Sequence, residues 1–152
     1  MRKSFVGAWT AGLVVIAGLA GVQPALAQQQ YVGTWGCEFT YTEMNQFGQR
    51  TSGHTRQYLI AIYPNGSFEA QGQMGSAMGY QPFQSQGQWQ VDEQSGKLMA
   101  QGQEYIGGMP SPGAFVMMGG VDPDGAFRNA YEQVDPSNSY VMNRQLYFCQ
   151  RQ

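Results

Sequence analysis

The sequence predicts an all-β domain: an eight-stranded antiparallel up-and-down barrel, with a two-sheet β-sandwich as the alternative. Three observations point there. Apolar and polar residues alternate along short runs, and helical spacing is never sustained. Clusters of Gly, Pro, Asn and Asp separate those runs at roughly even intervals. The two cysteines, Cys37 and Cys149, lie in the first run and the last.

The first strand is read over 35–41, where Trp35, Cys37, Phe39 and Tyr41 alternate with Gly36, Glu38 and Thr40. The second, Tyr58–Tyr63, runs into Pro64-Asn65-Gly66, a hairpin signal because Asn and Gly tolerate positive φ. In the third, Phe68, Ala70, Gly72 and Met74 oppose Glu69, Gln71 and Gln73. The fourth, 83–91, sets Phe83, Ser85, Gly87, Trp89 and Val91 against four glutamines, a half-buried strand with a wet outer face. Glu93-Gln94-Ser95-Gly96 turns the chain into a fifth strand over 97–106. Its phase is open, since either Leu98, Ala100, Gly102 and Glu104 or Met99, Gln101, Gln103 and Tyr105 could face inward. The sixth occupies the apolar stretch 114–121, and Asp122-Pro123-Asp124-Gly125 leads to the seventh, Phe127–Val134. Asp135-Pro136-Ser137-Asn138 precedes the last, Tyr140–Gln150. No connection is long enough for a parallel crossover. In a closed barrel the first and last strands are neighbours, so a Cys37–Cys149 disulfide would join them; for a loop of 112 residues the chain-entropy model gives about 4–5 kcal/mol.

An export signal is expected over residues 1–27. Arg2 and Lys3 precede an apolar run centred on Leu13-Val14-Val15-Ile16-Ala17, which closes on the small-x-small site Ala25-Leu26-Ala27. The expected product is secreted or periplasmic, with Gln28–Gln30 as a flexible tail and 31–152 as one domain, in a compartment that permits a disulfide. Loss of Arg2 and Lys3 leaves six basic against ten acidic residues, a net charge of −4, with Lys97 the one remaining lysine. Such a chain has no electrostatic footprint for nucleic acid or an anionic membrane. No second apolar segment approaches the roughly 20 residues of a membrane helix. An outer-membrane barrel is disfavoured because the outward positions are glutamines, where lipid-facing aliphatics are needed.

Gly33-Thr34-Trp35, after Tyr31-Val32, resembles the opening motif of the calycins, the superfamily of lipocalins, avidins and their bacterial relatives. The resemblance rests on this first-strand motif, and bacterial metalloprotease inhibitors use a similar small barrel. It implies that Gly33 and Trp35 are structural, with Trp35 packed across the closed end against an arginine of the last strand. Arg144 or Arg151 would supply that arginine.

Catalytic machinery is thin. His54 is the single histidine and is expected on an exposed loop, so no nucleophile triad or histidine metal pair can be assembled. No metal and no cofactor are implied: Asp122-Pro123-Asp124-Gly125 lacks the later ligands of a calcium loop, and the methionines form no tight Met-x-Met array. The expected function is therefore binding rather than catalysis. The leading reading is a small apolar or aromatic molecule held inside the barrel by Phe83, Trp89, Tyr105, Phe115, Met117 and Met118. The alternative is a protein-interaction module, such as a protease inhibitor or envelope assembly factor, acting through the barrel rim and a mobile 107–120 loop.

Overall fold

The computed structural model describes residues 28–152; the export signal expected over 1–27 lies outside them. Eight strands follow in chain order: β1 Gly33–Met44, β2 Arg50–Ile62, β3 Ser67–Ser76, β4 Gly79–Val91, β5 Leu98–Ile106, β6 Met109–Val121, β7 Phe127–Val134 and β8 Val141–Arg151. Each pairs antiparallel with the next, and β8 returns to β1, so the sheet closes into a barrel and the sandwich alternative is set aside. No helix of the described residues is long and apolar enough to cross a membrane.

Closure is fixed covalently. Cys37 and Cys149 are directly opposed in the β1–β8 ladder and joined by a disulfide. The side chains then follow the two-residue period. Trp35, Cys37 and Phe39 of β1 and Tyr58, Ile60 and Ile62 of β2 are buried inside, as are Phe68, Phe83, Leu98, Phe115, Met117 and Phe127. The intervening glutamines of β3, β4 and β5 face out. The phase left open in β5 is resolved with Leu98, Ala100 and Glu104 buried.

Three glycines of β3, β4 and β5 mark close approaches between strands. A Cβ at Gly72 would overlap the carbonyl oxygen of Gln57, and one at Gly87 that of Gln101. At Gly102, directly opposite Gly87, it would overlap the carbonyl of Gln86. These glycines let adjacent strands press together. The Pro64-Asn65-Gly66 turn forms as expected, although Gly66 alone takes a positive φ, of 84°. Asn65 instead accepts the Ser67 N–H on its side chain, at 3.0 Å.

The up-and-down order sends β1 away from the chain's first described residues, so alternate turns cluster at opposite ends. One end is closed by Tyr31 and Trp35 and carries the turns at 63–67, 92–97 and 122–126. The other carries the turns at 45–49, 77–78, 107–108 and 135–140.

Candidate functional site

At the closed end, Trp35 donates its indole N–H to the Tyr31 carbonyl at 2.8 Å, and Tyr31 donates its hydroxyl to the Gly96 carbonyl at 2.8 Å. The Arg151 guanidinium lies 4.6 Å from the Trp35 ring centroid and donates to the carbonyls of Val32 and Gln30. Gly33, at φ 133°, makes room for it: a Cβ there would stand 2.8 Å from the guanidinium. Of the two arginines expected here, Arg151 is therefore the partner of Trp35. Arg144 is not; seven residues away, it falls on the opposite face of β8, where it pairs with Glu132 at 2.6 Å.

Above this plug the barrel is filled. The rings of Tyr58, Phe68, Phe83 and Phe115 pack with centroids 5.2–6.1 Å apart. Trp89 donates its N–H to the Tyr63 carbonyl. Phe83, Trp89, Phe115 and Met117 thus face inward as expected, but there they are core. Tyr105 and Met118 were expected inside and are not. Each neighbours an inward residue, Glu104 or Met117, so the alternation turns it to the outer face.

The unusual chemistry sits at the waist, one layer further up. Arg56 of β2 reaches across to Glu104 of β5 in a two-pronged ion pair, with N–O distances of 2.6 and 3.2 Å. Its guanidinium is held between the rings of Phe39 and Phe83, 5.1 and 5.0 Å from their centroids. The Arg56 Nε, the Tyr58 hydroxyl and the His54 Nε2 beside this pair are buried without a hydrogen-bond partner in the protein. Burial, reinforced by the Arg56 charge, depresses the His54 pKa to about 4, so the imidazole is neutral near pH 7. Burial also pushes the Tyr58 hydroxyl well above the ordinary tyrosine range, keeping it protonated. Tyr147 is likewise pushed up to about 12.

His54 is not on an exposed loop. The turn lies at 45–49, and His54 belongs to β2 with its ring 5.7 Å from Phe39 and 5.3 Å from Tyr41. The missed signal was parity: His54, Arg56, Tyr58, Ile60 and Ile62 form one continuous inward face. Reading β2 only from Tyr58 cut off its polar half.

The ring is weakest between β6 and β7. They pair through Gly120–Arg128 and Val121–Phe127, where the ladder stops. Beyond that point side chains span the gap. Asn129 donates to the Met118 carbonyl at 2.5 Å and Tyr147 to the Val116 carbonyl at 2.7 Å. Tyr131 has inward parity, opposite Gln145 of β8, yet is 52% exposed, so the upper barrel communicates with solvent. The stretch 107–120 is not a loop: Gly107-Gly108 make a tight turn and the rest belongs to the arm β6. Pro110 and Pro112, without N–H groups, lie in its upper part, and the β5–β6 register shifts nearby.

Asp122 and Asp124 are engaged by Arg128 at 2.7 and 2.8 Å, and the Arg128 contact holds the Asp124 carboxyl down to about 2. No group of three or more His, Cys, Asp and Glu suited to a metal is found among the described residues. Searches of family models, curated proteins and solved structures returned no match to this chain.

Proposed function

We propose that the protein is an exported calycin-like barrel that binds a small, uncharged molecule in its upper half. The ligand has an apolar or aromatic body and an oxygen that accepts hydrogen bonds. One observation carries this reading: donors of Arg56 and Tyr58 are buried without partners around the Arg56–Glu104 pair. Leaving such groups unmet costs roughly 1–3 kcal/mol each, so a partner from outside the chain is favoured. The charge balance sets the ligand class. Arg56 and Glu104 neutralise each other and His54 is neutral near pH 7, so an ionic ligand would introduce an unpaired charge. Tyr41 and the half-exposed Tyr131, both at the level of Gln145, supply aromatic surface in the upper barrel. The gap between β6 and β7 offers a way in. The disulfide fits the oxidising compartment that export would provide.

Native mass spectrometry of the protein isolated from its own exported fraction tests this reading. A reproducible extra mass, released on denaturation and lost in Tyr58→Phe, is the expected result. A bare chain in every preparation, two hydrogens below the reduced formula, would mean that water alone meets these groups.

A further inference from the structure

The two ends of the barrel differ in chemistry. At the closed end the turns carry Glu93, Asp122, Asp124 and the adjoining Lys97. At the open end, three of the four hairpins carry large apolar side chains into solvent: Phe47 is 76% exposed, Met78 86%, Tyr80 80% and Met109 72%. These are the four most exposed large apolar side chains among the described residues, and all of them lie at this one end. The tips also stand free. A Cβ added at Gly48, Gly79, Gly107 or Gly108 would meet nothing within 4 Å.

From this we infer that the open end docks on a lipid bilayer, the Phe47, Met78–Tyr80 and Met109 tips entering the headgroup–acyl boundary. Three features favour lipid over a protein partner. The apolar groups sit on separate hairpins with polar residues such as Asn45, Gln46, Gln49 and Ser76 between them. A protein interface concentrates its anchors in one packed centre, whereas a bilayer accepts anchors dispersed around a rim. Their chemistry is that of interfacial anchors, with a tyrosine whose hydroxyl can stay at headgroup level. Lastly, the tips carry few unmet backbone donors into an apolar phase. The Asn45 side chain accepts the N–H groups of Phe47 and Gln49, the Asn45 carbonyl that of Gly48, the Ser76 hydroxyl that of Met78, and the Pro82 carbonyl that of Gly107. The fourth open-end turn, Asp135-Pro136-Ser137-Asn138, is polar and belongs at headgroup level, tilting the barrel towards its apolar side.

Cations are sparse at this rim, Arg50 being the one carried by the three apolar hairpins, so binding draws little on anionic headgroups. The partner is therefore a neutral, zwitterionic surface. None of the four tip side chains belongs to the waist, so this inference stands or falls separately from ligand binding.

Sedimentation with phosphatidylcholine vesicles, with and without phosphatidylglycerol, is the test. The folded, oxidised chain should partition onto both, with little dependence on salt. Each single change, Phe47→Ser, Met78→Ser, Tyr80→Ser or Met109→Ser, should weaken partitioning about three- to tenfold, and the fourfold variant should abolish it. These positions are exposed, so the unfolding midpoint should not fall. Phe47→Trp should show a blue-shifted emission on adding vesicles, whereas Gln94→Trp at the closed end should not. Failure of the parent chain to bind either vesicle would overturn the proposal, as would unchanged binding by the fourfold variant. So would concentration-dependent self-association that the fourfold variant removes while vesicle binding stays absent, which would make the rim a protein interface.

Discussion

Arg151 and Arg144 show how much parity decides for a single side chain. Arg151 combines a cation–π contact with two hydrogen bonds to carbonyls of the entering segment, whereas Arg144 holds one exposed ion pair. In denaturant titrations Arg151→Ala should lower stability by about 1–2 kcal/mol, and Arg144→Ala by less than about 0.5 kcal/mol. His54 gives a pH prediction. Its folded pKa of about 4 lies below the unfolded value of about 6.5, so the unfolded chain binds the proton more readily. Its favourable contribution is complete above about pH 6.5, declines as pH falls to about 4, and changes no further below that. Urea midpoints measured at pH 5 and pH 7 should therefore differ more for the parent chain than for His54→Gln. Equal differences would mean that the imidazole is not desolvated.

At the scale of the element, most of the fold could be read from alternation and turn residues, and most errors came from strand ends. The glutamine faces of β3 and β4 and the aromatic face of β1 were plain because apolar and polar residues strictly interleave. The site was not plain, because an inward strand face is assumed to be apolar. Arg56 and Glu104 break that rule together, each acceptable inside only with the other, and they lie 48 residues apart. No local pattern announces such a pair. Met118 and Tyr105 were misplaced for a related reason: residue type alone says that a side chain is sticky, while its neighbour's parity says where it points. The strand glycines also carry a prediction. Gly102→Ala places a methyl group against the Gln86 carbonyl and the Gly87 backbone, so it should destabilise by about 1–3 kcal/mol. Gly48→Ala is a control for the same change in open space, with only the turn's positive φ to penalise it. A loss at Gly102 no larger than at Gly48 would mean that the strands can relax apart.

For the whole molecule, the closed ring, the disulfide and the difference between the two ends are one design. The filled closed end supplies the core, the waist holds the polar groups, and the open end presents the apolar rim. Reducing Cys37–Cys149 should lower stability by about 4–5 kcal/mol through the entropy of the released loop. Thermal or chemical unfolding of oxidised and reduced protein, with the rim variants as references, measures this directly. The reduced chain keeps the β1–β8 hydrogen bonds, so it should still fold under mild conditions.

The position of that disulfide has a mechanical consequence. Cys37 and Cys149 face each other near the two ends of the described chain, so residues 38–148 form a covalent loop. Tension applied between residue 28 and residue 152 would run along 28–36, cross the sulfur bridge and leave through 150–152. The rest of the barrel would carry no load. Pulled at residues 28 and 152, the oxidised molecule should behave as a short, almost inextensible link, and only a reductant should release the 38–148 loop.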